Sequence, residues 1–134
     1  MAHDPQTLTL EAGEWTDEAA LWLDQAKGAA TLDDLKAQTE SGAVLFYVRH
    51  EGITVGAFLL RVDQTASGAE GVIVAAAAQL RGVDMIASCM PAIESKFTGC
   101  KFVRFHTGQP ALARKLARVG YVPAEIVSIK TLGA

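Results

Sequence analysis

Two apolar runs rich in β-branched and aromatic residues flank Glu51-Gly52 in the stretch GAVLFYVRHEGITVGAFLLRVDQ, residues 42–64. Runs of that kind around a short glycine-containing turn predict a β-hairpin. The second run is apolar on both of its alternating faces. Ile53, Val55, Ala57 and Leu59 fall on one, and Phe58, Leu60 and Val62 on the other. A strand apolar on both faces has to be covered on both, so the sheet it belongs to needs helices on two sides.

The flanking segments supply those helices. Before the hairpin, Thr7 to Leu10 alternates weakly and predicts a short first strand. Thr16 then reads as an N-cap with Asp17 and Glu18 in the first turn, Trp15 outside it as a staple, and Gly28 as the stop. Thr31 opens a second helix with Asp34 placed for a capping box, and Gly42 ends it. After the hairpin the polar stretch QTASGAEG predicts a loop leading to a buried strand, Gly71 to Ala78. A helix is expected from about Val83 to Phe97, kinked or restarted at Pro91, because a proline removes a helical hydrogen bond. KFVRFH predicts a strand and PALARKLARVG a helix with Pro110 in its first turn and Gly120 at its end. YVPAEIVSIKTL predicts a closing strand.

The expected order is β-α-α-β-β-β-α-β-α-β: one α/β domain over residues 1–134 with a mixed central sheet. The sheet is antiparallel through the hairpin and locally parallel where a helix crosses over. A chain of 134 residues suits one domain and buries roughly two-thirds of its unfolded surface, enough for a core without staples. With 50% apolar and 20% charged residues it is not a disordered composition. No apolar stretch reaches the ~18 residues of a membrane span, and the N-terminal residues lack a signal-peptide pattern, so a cytoplasmic protein is expected. The net charge of −3 argues against nucleic acid as a partner. Cys89 and Cys100 have no Cys-x-x-Cys spacing, and His3, His50 and His106 lie far apart, so no metal site is expected.

This element order, together with the segment CKFVRFHTGQPALARKLARVGY, resembles the GNAT superfamily of acyl-CoA-dependent N-acetyltransferases over about residues 7 to 132, its small phage and prophage-like members most. In that family a strand ends in a loop of the form Arg/Gln-x-x-Gly-x-Gly/Ala that opens the crossover helix and binds the CoA pyrophosphate. Unsatisfied amides and the helix dipole attract phosphate there, and glycine lets the backbone approach. Gln79, Leu80, Arg81, Gly82, Val83 and Asp84 stand in that place, and Val74 matches a strand valine beside the cofactor. Asp84 departs from the pattern: it puts a carboxylate where phosphate would dock, and it also suits a helix N-cap. The tyrosine that many members use to protonate the leaving thiolate is replaced by Leu116.

The resemblance implies acetyl transfer from acetyl-CoA to an amine of a small molecule or peptide. Strand amides near Val74 and Ala76 would polarise the thioester carbonyl. Two side chains are candidate bases: His106 at a strand end and Glu70 before the third long strand, each also readable as structural or solvated. Arg104, mid-strand, needs a carboxylate or an anionic ligand. Arg114, Lys115 and Arg118 suit the end of the last helix or an anionic partner, while Trp15 and Trp22 read as core packing or pocket lining. Asp84 and Leu116 keep open a second reading, a catalytically silent GNAT-like binding or host-interaction protein. A homodimer is also left open. The two readings differ in whether the third and fourth buried strands splay into a cleft or pair fully.

Overall fold

Two threonines set the entry of the chain. In the computed structural model, which describes residues 8–26 and 30–133, Thr16 adopts extended backbone and caps α1 (Asp17–Asp24) by accepting the Ala19 N–H at 3.2 Å. Its hydroxyl also meets the Tyr47 phenol at 2.7 Å, tying the helix to the sheet. Thr31 caps α2 (Leu32–Glu40) in a full capping box: Asp34 N–H donates to Thr31 Oγ1 and Thr31 N–H to Asp34 Oδ2, both at 3.1 Å. The Thr31 backbone N–H, and then its hydroxyl, hold the Asp34 carboxyl below its ordinary range because they stabilise the ionised form. Gly28, the expected end of the first helix, lies outside the described residues.

The sheet runs in sequence order, β1 (Thr9–Gly13), β2 (Val44–His50), β3 (Ile53–Thr65), β4 (Gly68–Ala78) and β5 (Val103–Phe105). The first four strands pair antiparallel and β4 pairs parallel with β5. The hairpin forms as expected. Glu51 and Gly52 both take positive φ, 53° and 79°, the backbone that a two-residue turn needs to match strand twist. The β4–β5 crossover carries α3 (Met85–Glu94), and α4 (Pro110–Ala117) follows β5 with proline at its first turn.

Both sheet faces are covered, as the doubly apolar β3 requires. On one side Phe58, Leu60 and Ile73 pack with Met90, Ile93 and Phe97 of the crossover segment. On the other, Leu45, Tyr47, Ala57, Leu59 and Ala75 pack with Ala19, Leu23 and Leu35 of α1 and α2. Among the described residues no helix is long and apolar enough to cross a membrane.

Four expectations need correction. The first strand is shifted, starting at Thr9 and running to Gly13, because Leu10 pairs with Val48 and the ladder continues to Gly13 opposite Leu45. The loop expected at QTASGAEG is a tight turn at Ala66-Ser67. Asp63 pairs with Glu70 and Gln64 with Ala69, so polar residues at the solvated end of the sheet extend the ladder rather than interrupt it. The crossover helix begins at Met85, after an Asp84 cap, and runs through Pro91 before tightening into a short 3-10 turn at Ser95–Phe97.

The closing strand does not form. Tyr121 sets its ring edge-on to Phe105, with centroids 6.3 Å apart, and donates its hydroxyl to the Glu94 carboxylate at 2.7 Å. Beyond it residues 122–133 form no helix or strand. Pro123 lacks an N–H, and three-residue β5 offers little edge to pair with. Val122, Ile126, Val127, Ile129 and Leu132 are left exposed.

Cys89, buried under the sheet, carries a first prediction. Burial pushes its thiol up to about 11 from an ordinary 9.0. The unfolded thiol ionises first as pH rises, so this contribution is complete below pH 9 and is lost between about pH 9 and 11. In native protein at about pH 8, Cys89 is expected to resist iodoacetamide while the less buried Cys100 reacts. The fall in urea midpoint above pH 9 should shrink in Cys89→Ala.

Candidate active site

A backbone irregularity opens the sheet. Between β3 and β4 the register shifts so that Leu59 faces Ala75 while Leu60 faces Ile73, leaving Val74 without a partner. An extra residue of this kind bends its strand. On its other edge, β4 pairs with β5 only from Gly71 to Ile73. The His106 N–H makes the last link, to Ile73 O at 3.1 Å, and from Val74 onward the two strands part.

A cavity of about 370 Å³ occupies the opening. It is lined by Phe58 and Ala76 to Ala78 of the sheet, by Gln79, Leu80, Val83, Met85 and Ile86 around the start of α3, and by Phe105, Leu112 and Lys115 from β5 and α4. A smaller space of about 180 Å³ adjoins it toward the end of α1, lined by Gln25, Ala26, Ala76, His106, Thr107 and Gly108. Gln109 Nε2 donates to Gln25 O at 3.2 Å, linking α4 to the end of α1 beside both spaces. A volume of a few hundred Å³, mostly apolar with a few polar groups, is that of a small-molecule cleft.

The loop from Gln79 to Asp84 shapes one end of the cleft. Gln79 N–H is fixed to Val55 O at 2.9 Å, and Val83 N–H turns back to Leu80 O at 3.1 Å. Gly82 lies inside that turn at φ +79°, a left-handed conformation that glycine takes without strain. Asp84 caps α3, its Oδ1 accepting Ala87 N–H at 3.2 Å while its carbonyl takes Ser88 N–H at 3.0 Å. The first turn of a helix leaves amides without helical partners, and here those of Met85 and Ile86 belong to residues lining the larger cavity. That end therefore combines the positive pole of a helix with the opposing charge of Asp84.

These placements sort the sequence candidates. Ala76, Gln79, Leu80 and Val83 line the larger cavity, and Ala76 and His106 line the smaller one. Arg81, Gly82 and Asp84 lie in the loop between those lining residues. Val74 is the bulge residue, and its side chain packs with the core under α1 and α2.

Glu70 lines neither cavity. It pairs with Arg104 at 3.6 Å, and Arg104 also engages Glu125, so the mid-strand cation has the carboxylate partners its position demands. Leu116 is buried and offers no proton. Burial, reinforced by the hydrogen bond to Glu94, pushes the Tyr121 phenol far up, and Tyr121 lines neither cavity. Trp15 and Trp22 pack against the core on the α1 side of the sheet. Nothing local in the sequence marks Gln25, Gln109 or Phe105 as lining residues; 84 positions separate the two glutamines, and no local pattern links them. Among the described residues no group of three His, Cys, Asp or Glu is placed to hold a metal ion.

No protein-family model matches the chain, and no curated protein matches it. The architecture is nevertheless shared with solved structures. One is a ribosomal-protein-alanine N-acetyltransferase from Brucella melitensis biovar Abortus 2308, 16% identical, covering 96% of this chain and 100% of its own, with a TM-score of 0.66. Another is a GNAT family acetyltransferase from Staphylococcus aureus subsp. aureus, 16% identical over 93% of this chain and 98% of its own, at 0.59. An aminoglycoside N-acetyltransferase in complex with CoA is 13% identical over 98% of this chain and 100% of its own, at 0.60. At such identities the likeness establishes the fold, and the chain has the GNAT fold.

Proposed function

We propose that this chain is an N-acetyltransferase acting in the cytoplasm, as a single domain, that moves an acetyl group from acetyl-CoA to an amine of a small molecule or peptide. One observation carries the reading: β4 and β5 part at Val74 over a cavity that runs to the N-terminus of α3. A sheet built only to be stable would keep that seam paired, since unpaired strand edges in a covered sheet leave amides without partners. The likeness to a solved aminoglycoside N-acetyltransferase with CoA bound supports the same reading.

When bound, acetyl-CoA supplies an activated acetyl group as a thioester. The residues present fit most of it. The free edge of β4 offers backbone groups to an extended amide-bearing chain, and the first-turn amides of α3 offer donors to phosphate. Lys115 adds a cation to the lining of the same cavity. The amide near Ala76, at the junction of the two cavities, would polarise the carbonyl, and His106 across the smaller cavity would accept the proton the amine loses. The acetyl group passes from sulfur to nitrogen, and the thiolate released takes a proton from water, because Leu116 offers none. Holding both reactants in one cleft supplies much of the acceleration.

Asp84 provides the test. A carboxylate ~4 Å from a phosphate at an effective dielectric of about 20 is opposed by about 4 kcal/mol before salt screening. Replacing it by glycine costs the helix cap only a few tenths of a kcal/mol. Titrated with acetyl-CoA by calorimetry, the wild type is expected to bind near micromolar, at about −8 kcal/mol. Asp84→Gly is expected to bind about tenfold tighter with a nearly unchanged melting temperature. Heat from the variant alone would mean that the carboxylate has closed the site. No heat from either protein would overturn the acetyl-CoA reading.

A further inference from the structure

The two helices that line the cleft are tied to each other at their far ends. α3 brings Met85 and Ile86 of its first turn to the larger cavity, and α4 brings Ala111 and Leu112 of its own. At the other end Glu94, the last residue of α3, accepts the Tyr121 hydroxyl on Oε2 at 2.7 Å. Tyr121 is in turn fixed to the end of α4. Gly120 takes φ +99°, and the Tyr121 N–H closes back on Leu116 O at 3.1 Å, a left-handed helix cap. The Tyr121 ring meets Phe105 edge-on at 6.3 Å, and Phe105 lines both cavities.

We infer that Tyr121 is a positioning residue: its bond to Glu94 pins α3 and α4 at their C-terminal ends and so fixes how far the cleft gapes between their N-terminal turns. The bond closes the chain on itself between 94 and 121, a stretch that holds both β5 and α4. The ladder alone holds that stretch weakly, because β5 pairs with β4 only from Gly71 to Ile73. A hydroxyl donating to a carboxylate is stronger than a neutral hydrogen bond. Burial, and then Glu94, hold the phenol far above its ordinary range, so it stays protonated and remains a donor. Tyr121 lines neither cavity, so it acts through the two helices and Phe105 and not on the reacting atoms. Without the pin only a fraction of molecules hold the binding gape, and apparent affinity falls by that fraction. That acetyl-CoA is the ligand affected rests on the proposed acetyl transfer; the pin itself does not.

Tyr121→Phe tests it. The variant keeps an aromatic ring beside Phe105 and removes only the hydroxyl, and the exposed Glu94 carboxylate returns to water. Amide hydrogen exchange is expected to quicken in α3 and α4 and to stay unchanged in β2 and β3. By calorimetry acetyl-CoA is expected to bind about fivefold more weakly, the order of one hydrogen bond, with kcat within about twofold of wild type. Glu94→Ala is expected to match Tyr121→Phe, and the double variant to be no worse than either. Glu94→Gln keeps an acceptor and is expected to retain wild-type affinity. A residue that only stabilised the fold would speed exchange throughout and lower kcat at unchanged affinity. That pattern, or exchange and affinity both unchanged in Tyr121→Phe, would overturn the inference. Faster exchange confined to α3 and α4, with acetyl-CoA bound by none of the proteins, would uphold the pin and overturn the acetyl-CoA reading instead.

Discussion

A methyl group added at Gly56 is expected to cost the fold about 3 kcal/mol, at the upper end of what overpacking a core usually costs. Gly56 lies opposite Ala78 in the β3–β4 ladder. An ideal Cβ there would run into the Ala78 Cβ and come within 2.6 Å of Ala77 O and 2.7 Å of Ala78 Cα. Two of those obstacles are backbone, which cannot swing aside as a side chain can. Gly71 makes the contrast: a Cβ there meets the Phe97 ring, a buried side chain rather than backbone. For Gly56→Ala the two strands would have to separate, and Ala77 and Ala78 line the larger cavity. Thermal and urea unfolding should therefore show a melting temperature lower by roughly 10 °C, with acetyl-CoA binding weakened in the fraction that remains folded. A loss below about 1 kcal/mol would show that the strand spacing relaxes freely.

Nothing in the sequence singles out Gly56, and the reason is physical. Its role depends on which residue of β4 stands opposite, and that follows from the bulge at Leu59/Leu60, which lies between Gly56 and the β3–β4 turn. A bulge is one extra residue in a run that still reads as a strand, so the alternation of Gly71 to Ala78 does not reveal that Val74 is unpaired. Local signals were legible. The caps at Thr16 and Thr31 and the turn at Glu51-Gly52 depend on residues within three positions of one another, and all three formed. The requirement for cover on both faces followed from β3 alone. The end of the chain differs from its sequence pattern for the opposite reason. YVPAEIVSIKTL has the composition of a strand, but a strand is a relation between two edges, and its own β5 is three residues long. The candidate site divides along the same line. The loop Gln79 to Asp84 was legible because its chemistry is contiguous, while the neighbours of His106 come from α1, β4 and the start of α4 and meet only in space.

Replacing His106 by glutamine is expected to lower acetyl transfer about a hundredfold, the lower end of what a positioned general base contributes. His106 follows β5 at the point where its backbone N–H ends the ladder on Ile73 O, so the backbone beneath the imidazole is fixed. It lines the smaller cavity with Ala76, the residue whose amide is proposed to polarise the reacting carbonyl. Among the described residues no other candidate base lines either cavity: Glu70 is held by Arg104, and Tyr121 by Glu94. Glutamine keeps a polar side chain of similar reach but cannot take a proton near neutral pH. Because His106 does not line the larger cavity, the affinity for acetyl-CoA should stay within about twofold of wild type, with the loss confined to kcat. Added imidazole should restore part of the rate to a smaller variant, His106→Ala, and none to the wild type. A structural role predicts a different pattern: lower melting temperature, weaker binding and no rescue. An unchanged kcat in His106→Gln would remove the histidine from the chemistry and leave water to accept the amine proton, with positioning in the cleft as the main source of rate.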